Sequence, residues 1–506
     1  MKLEKVNEVQ MRVYGDMNEL ATLRQELSFF VPGAQYSPAF KNKVWNGKIS
    51  YLDGKNRTVP IGLFDLVKTC CENWKLPLEL DRVLEKDLAG DVKPELDLAA
   101  LKLPFPPRDY QLEEFETAVM KRRGVVLSPT GSGKSLVIYL VLRWILENVD
   151  GAVLLVVPTV SLVEQMWSDF VSYGWDDIGD HVEQLYSGKK PTFKKRILLT
   201  TYQSIMRKDA DFYWRYSALI NDEAHTVKST QLMKIAKFCV NARYRLGFTG
   251  TLPTEKIDLY NVQGMLGPKI YELRTKALMD RGLLSGIKVV NLFLSYPEPI
   301  RRRGGQRSYP EEVRLLEELP ERNQAFSWIL DNLPTTQNTL ILVNHIEHLE
   351  RLAEWITEKY MDKFQVKVIQ GATDPILREG IRQNMENEKG VVLVATYGTL
   401  STGINIKRIH HIVFGSSSKS HIRVLQSIGR GLRLHETKDK LVLWDVVDDL
   451  SHVSKTGRTT RLNYMMKHWN ERYKIYQDQG FECLKKTLKI EQESQTIEFL
   501  SNIGED

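Results

Sequence analysis

Cysteine is scarce in this chain. There are four in 506 residues (Cys70, Cys71, Cys239 and Cys483), and no two have metal-ligand spacing. Two are adjacent, a poor geometry for a disulfide, so neither a disulfide scaffold nor a zinc module is expected, and a reducing compartment is. Long apolar runs are missing too. The longest, LVIYLVLRWIL, is short for a membrane span and contains Arg143, so it reads as a buried helix. The opening stretch MKLEKVNEVQMRVYG has no apolar core of the kind a signal peptide needs. There is no short-period repeat and no low-complexity tract, and the net charge of +6 is small for this length. What remains is an ordinary globular chain, of roughly three or four domains at ~100–200 residues each.

What is present is α/β patterning. The runs GVVLS, AVLLVVP, RILLTTY, ALIND and RLGFTGT alternate with longer segments of helical character. A second set, TLILVN, VKVIQG, VVLVAT, HHIVFG and LVLWDVVD, begins near Thr339. Near-continuous apolar runs suit parallel strands covered on both faces, so two doubly wound lobes are predicted, at 96–290 and 321–450. A small module, 1–95, precedes them, and acids from Glu79 to Asp97 separate it from the rest. Residues 291–320 contain YPEPIRRRGGQRSYPEE, which reads as a basic connection or hairpin tip. Residues 451–506 read as a basic helical extension, since 451–490 carry nine Lys/Arg against three Asp/Glu.

Chemistry is concentrated at a few points. SPTGSGKS (Ser128–Ser135) lies between a predicted strand and a predicted helix, the context of a phosphate-binding loop. Within Pro129, Thr130, Gly131, Ser132 and Gly133, the two glycines let backbone N–H groups close around phosphate oxygens. Lys134 supplies a point charge to the β- and γ-phosphates, and Ser135 is a Mg²⁺ ligand of the usual kind. Ser128 stands where such loops commonly begin with glycine. LINDEAH ends an apolar strand with Asp222, suited to hold Mg²⁺ through water, and Glu223, suited to polarise the attacking water. His225 follows, as a partner or as a packing residue. Upstream, Tyr110 and Gln111 in PPRDYQLEEF are candidates for stacking on and hydrogen-bonding a purine, with Arg108 beside them as a further ATP-binding candidate. The alternative there is a plain helix N-terminus.

Far downstream, QSIGRGLR places Gln426, Arg430 and Arg433 together. Arginines at i and i+3 share a helix face, and a guanidinium from a neighbouring lobe can complete a phosphoryl-transfer site. In the N-terminal module, YSPAFKNKVWNGKISYLDGKNR interleaves Lys41 and Lys43 with Trp45 and other rings. That is either a nucleic-acid surface or the core of a small β-domain. Its Asn-Gly reads as a hairpin turn or bulge. Arg301, Arg302 and Arg303 at a turn tip are candidates for a duplex or junction contact.

SPTGSGKS, VVPTVSLVEQ, TTYQS, DEAH, FTGTL, VATYGTLSTGINI and QSIGRGLR stand in the order of the superfamily 2 helicase motifs, which the chain resembles from about Arg108 to Arg433. The resemblance implies RecA-like lobes, so the expected fold is α/β. It comprises two doubly wound parallel-sheet lobes, a small α+β N-terminal domain and a helical C-terminal extension. It implies ATP and Mg²⁺ as cofactors, with Gly403 beside the nucleotide. It places Thr159, Gln203, Thr373 and Thr396 near the nucleic-acid backbone, and has Thr249 and Thr251 couple ATP state to the strand. The Trp-Asn-Gly turn, the basic inter-lobe stretch and the basic tail narrow the resemblance to the phage UvsW-type helicases. Those are ATP-dependent motors on Holliday junctions, forks and R-loops. The implied partner is branched DNA, with an RNA–DNA hybrid as a further candidate and no membrane. The implied location is the cytosol of a phage-infected bacterium. The readings to be separated from it are an RNA helicase, a restriction-system motor and an ATP-gated DNA clamp.

Overall fold

The computed structural model describes residues 1–491 apart from 92, 187, 190, 305–306, 372, 401–405, 419 and 454–458. The chain divides into two compact units, Met1–Ala277 and Leu278–Asp506.

The first unit is built on a seven-stranded sheet. Its order is Lys269–Glu272, Arg123–Leu127, Tyr244–Thr249, Tyr216–Asp222, Ala152–Val157, Ile197–Thr201, Val182–Leu185. Every pairing is parallel. Ala152–Val157 is buried along its whole length, as an apolar run covered on both faces must be. Helix Lys134–Asn148, which contains the LVIYLVLRWIL run, packs its apolar side chains into the core on one face. Because all strands run the same way, their carboxyl ends share one edge. The phosphate loop, Thr159, Gln203 and Asp222 all follow or end strands at that edge.

The N-terminal module is α+β, as expected. Thr58–Pro60, Gln10–Tyr14, Lys2–Lys5 and Glu79–Leu80 form one small sheet. It is not set apart by its acids, however. The carboxylates bind it to the first lobe instead: Asp87 and Asp91 pair with Arg122 at 3.1 and 2.7 Å, and Glu8 of the same module pairs with Arg123 at 3.2 Å. The packing leaves no room even for a methyl group at Gly62, where a Cβ would overlap the Gln263 carbonyl. The Asn46-Gly47 step is a turn, with Gly47 at φ +77°, but not a hairpin tip. It leads into Lys48–Ser50, whose antiparallel partner, Ser28–Phe30, lies far back in the chain.

The second unit holds another seven-stranded sheet, ordered Gln365–Ile369, Val391–Thr396, Thr339–Val343, His411–Phe414, Lys440–Asp449, Gly286–Ser295, Glu482–Lys489. It too is parallel throughout. Three expectations need correction here. The boundary placed at 290/291 falls inside Gly286–Ser295, which pairs with Lys440–Asp449 and belongs to the second sheet. The stretch expected as a basic hairpin forms two helices, Glu298–Gly304 and Tyr309–Glu318. Prolines near the start of each suit a first helical turn, and Ile300 is buried beneath the arginines. The tail is not only helical. Helix Tyr464–Asp478 returns the chain to Glu482–Lys489, which extends the sheet at its edge.

Candidate nucleotide and nucleic-acid sites

In the first unit the phosphate loop turns on Gly131 and Gly133, at φ +89° and +87°, a region that costs glycine nothing. The Ser128 and Ser132 hydroxyls, both fully buried, bond each other at 2.7 Å across the loop. The Lys134 ammonium donates to the Ser128 and Pro129 carbonyls at 3.1 and 3.2 Å. Ser135 Oγ shares a 2.8 Å hydrogen bond with the Tyr173 hydroxyl, a partner the sequence reading missed.

Asp222 closes its strand with Oδ1 shielded from water and without a hydrogen-bond partner. Loss of water, then the neighbouring Glu223 charge, push its carboxyl up to about 7, while Lys134 acts the other way. An orphaned carboxylate oxygen beside an ammonium is a place for a hard cation, with Ser135 as a second oxygen donor. Glu223 sits in the left-handed region at φ +54°. Its Oε2 accepts from Thr249 Oγ1 at 3.3 Å, and His225 Nδ1 lies 3.3 Å from the same oxygen and 2.9 Å from Thr249 Oγ1. A carboxylate, an imidazole and a hydroxyl from two adjacent strand ends thus form a closed triangle.

That triangle bears on Thr249 and Thr251, the threonines expected to couple ATP state to the strand. Thr249 is fully buried and Thr251 nearly so, so neither hydroxyl is available to a nucleic-acid backbone. The Thr249 hydroxyl faces the Thr251 carbonyl at 2.9 Å and the Glu223 carboxylate at 3.3 Å instead. Tyr110 and Gln111 also differ from expectation. Both are buried behind the loop, with the Tyr110 hydroxyl and Gln111 Nε2 donating to the Ser132 carbonyl at 2.8 and 2.9 Å. Arg108 donates to the Tyr110 hydroxyl at 2.9 Å. Tyr110 and Gln111 brace the loop rather than offering a stacking face, and the exposed Arg108 holds Tyr110 in place. Sequence reasoning also missed Glu114, although there was a signal for it. Tyr110, Gln111, Glu114, Phe115, Ala118 and Val119 form the buried stripe of helix Asp109–Lys121, and an acid on such a stripe is an anomaly.

The remaining nucleic-acid candidates of this unit are mixed. Gln203 is exposed, whereas Thr159 is half-buried and caps helix Val160–Ser172 by accepting from the Leu162 N–H at 3.3 Å. Lys41 and Lys43 are exposed. Trp45 is half-buried, with its indole N–H on the Lys48 carbonyl at 2.7 Å. Of the rings near these lysines in sequence, Tyr36 and Phe30 are exposed, at 75% and 58%.

In the second unit, helix His421–Gly431 carries Gln426 and Arg430, both half-buried. The helix ends at Gly431, so Arg433 lies beyond it and does not share a helix face with Arg430. Gly431 packs closely at that end: a Cβ there would meet terminal methyl groups of Leu441 and Ile412 at 2.7 and 2.8 Å, so those side chains would have to shift. The buried Lys438 ammonium donates to the Gly431 carbonyl at 2.7 Å, and Ser285 donates to the Leu432 and Arg433 carbonyls at 2.7 and 3.2 Å. The arginine segment is therefore held by its backbone. Thr396 is buried and its hydroxyl meets that of Thr399 at 2.7 Å, which makes it a turn cap rather than an open strand contact. Thr373 caps its own turn by accepting from the Gln370 N–H at 2.9 Å. Arg301 is half-buried, and Arg302 and Arg303 are exposed. Gly403 lies outside the described residues.

Comparison with known proteins fits this geometry. A family model described as the N-terminal domain of the DNA helicase UvsW matches residues 3–81. One described as the res subunit of type III restriction enzymes matches 104–254, and the helicase conserved C-terminal domain matches 322–435. The ATP-dependent DNA helicase uvsW of Enterobacteria phage T4 is 29% identical over 485 residues, covering 92% of this chain and 95% of that protein. The DNA 3'-5' translocase XPB2 of Sulfurisphaera tokodaii is 25% identical over 383 residues, 67% of this chain and 82% of that one. Among solved structures, a fragment of an HsdR subunit of a type I restriction enzyme from Vibrio vulnificus YJ016 covers 78% of this chain and 71% of its own. At 18% identity and a TM-score of 0.57, that likeness is one of fold. The phosphate loop, the DEAH segment, the paired parallel sheets and a relative spanning nearly the whole chain lead to one conclusion: the chain is an ATP-dependent DNA helicase, similar over most of its length to the UvsW helicase.

Proposed function

We propose that the helicase remodels branched DNA (Holliday junctions, forks and R-loops), acting in the cytosol of an infected bacterium. The observation that carries this is the UvsW N-terminal match at residues 3–81 together with a relative aligned over 92% of the chain. Restriction-type motors share the lobes, but that likeness leaves the N-terminal module unexplained. An ATP-gated clamp would not need Glu223 set against His225 and Thr249.

In this reading Lys134 and the loop N–H groups hold the β- and γ-phosphates, and Gln111, Tyr110 and Arg108 keep the loop in shape. Mg²⁺, held by Asp222 and Ser135 with the phosphates, would neutralise charge on the nucleotide. Glu223 orients the attacking water, and Thr249 reports its state to the rest of the lobe. Arg430 and Arg433, with Gln426, supply cations for phosphoryl transfer. Residues 1–95 are the DNA-binding module, with Lys41 and Lys43 on phosphate, and Arg301–Arg303 touch the branch.

The test is ATPase rate with single-stranded DNA, duplex, four-way junction and RNA, for the wild type and Glu223→Gln. Junction DNA should stimulate most. Equal stimulation by every polymer sinks the branched-DNA reading, and full turnover by Glu223→Gln sinks the carboxylate's role.

A further inference from the structure

Glu114 is fully buried on the face of helix Asp109–Lys121 that braces the phosphate loop, one turn beyond Gln111. Neither of its oxygens has a well-formed hydrogen bond. The polar groups beside it are the Ser128 hydroxyl, already engaged with Ser132, and the Lys134 ammonium. An ionised carboxylate in such a place is costly, so the group is kept neutral far above the usual range. Burial, the largest influence, pushes it up to about 7.

The other charges around it are few. From its own helix comes Glu113, which raises it and is itself bonded by the Tyr271 hydroxyl of strand Lys269–Glu272 at 3.1 Å. Helix Lys134–Asn148 contributes Lys134. Strand Arg123–Leu127 contributes only Arg123, tied to Glu8 at the strand's far end.

We propose that Glu114 is a positioning residue behind the phosphate loop, whose carboxyl must be neutral for nucleotide to be held, so that binding nucleotide takes up a proton. Ionised, it would draw Lys134 back toward the Ser128 and Pro129 carbonyls, where the ammonium already rests. It would also repel the incoming phosphates through the loop. Neutral, it leaves the Lys134 charge to the nucleotide. The phosphates in turn disfavour ionisation of Glu114, so the bound form keeps the proton to higher pH. This inference rests on the reading of Lys134 as the phosphate cation.

The experiment uses the full chain and Mg-ADP, which binds without turnover. Calorimetry in buffers of different ionisation enthalpy counts protons taken up on binding near pH 7.5, and KM for ATP is followed from pH 6 to 8.5. The wild type should take up a fraction of a proton, and its KM should rise about five- to tenfold across the range, up to one pKa unit of linkage. Glu114→Gln and Glu114→Met, both permanently neutral, should lose that uptake and flatten the KM profile. Two shapes are tested so that a folding failure of one does not decide the matter. Uptake and profile identical to wild type in either folded variant overturn the proposal. Lys134→Ala is the separate control: if it still binds Mg-ADP and turns over ATP normally, the reading of the site fails, not merely the role of Glu114.

Discussion

The two parallel sheets are alike in strand number and direction, yet the buried carboxylates at their strand ends and helices are matched in opposite ways. In the second unit Arg322 and Arg472 are buried and matched. Arg322 bonds both oxygens of Asp448 at 2.8 and 3.0 Å, and Arg472 bonds Asp445 from 2.8 Å, with Tyr476, Ser417 and Ser418 using the remaining capacity. Their carboxylate partners drive both guanidinium pKa values upward despite burial. In the first unit Asp222 and Glu114 are shielded and under-matched, and both are pushed up to about 7. A satisfied buried charge locks an element in place. An unsatisfied one waits for a ligand or a proton, and the under-matched pair lies around Lys134.

The comparison can be broken most severely from the second unit's arginine segment. Arg430→Ala should lower kcat by about 10³-fold or more while nucleotide still binds, measured by steady-state ATPase beside Mg-ADP titration. An unaltered kcat would remove Arg430 from the phosphoryl-transfer site. Similar in size but different in kind, Asp445→Asn should destabilise the protein by about 3–5 kcal/mol, because it leaves Arg472 buried and unmatched. Replacing both partners with apolar residues should recover much of that loss, as read from chemical denaturation. In the first unit, Glu223→Gln should cost about 10²-fold or more in kcat with little change in melting temperature, since no packed ion pair is opened.

A gentler test uses pH. The folded-state pKa of Glu114 lies above its usual 4.5, at about 7. The stability it contributes is therefore fully present below about 4.5 and is lost as pH rises through 7. Nucleotide-free wild type should lose melting temperature between pH 5 and 8 more steeply than Glu114→Gln. Parallel curves would mean that the carboxyl is solvated in the folded protein.

How far the sequence could be read follows the same division. Nine of the ten apolar strand runs were legible because they are buried along nearly their whole length; the tenth, Gln365–Ile369, is a half-buried edge strand. The strands that escaped are those with less need for apolar residues or with distant partners. Glu482–Lys489 is a lysine-rich edge strand, Lys269–Glu272 and Val182–Leu185 are short edges, and Gly286–Ser295 is apolar but pairs with strands far along the chain. At the site, residue type and spacing announced Lys134, Asp222 and Glu223, since the chemistry demands them. Spacing does not say where a hydroxyl points, so Thr249, Thr251 and Thr396 looked open and are buried. Nor does it bring Tyr173 to Ser135. The basic stretches were visible as charge but not as shape: Arg301–Arg303 lie on a helix, not on a turn tip.

The smallest effect expected is at the N-terminal surface, where charge is neither matched nor buried. Lys41 and Lys43 are solvated, so replacing both with alanine should leave folding intact. If both contact duplex phosphates, DNA affinity should weaken modestly and the salt dependence of log K should fall by about 1.8, near 0.9 for each lost contact. Tyr36→Ala separates stacking from charge. An exposed ring that stacks on an unpaired base contributes about 1–3 kcal/mol and leaves the salt slope where it was. Loss of affinity for junctions with an unpaired base, but not for plain duplex, would assign Tyr36 to the branch point and the lysines to its arms. A salt slope that does not move in the double lysine variant would return that patch to a solvated face.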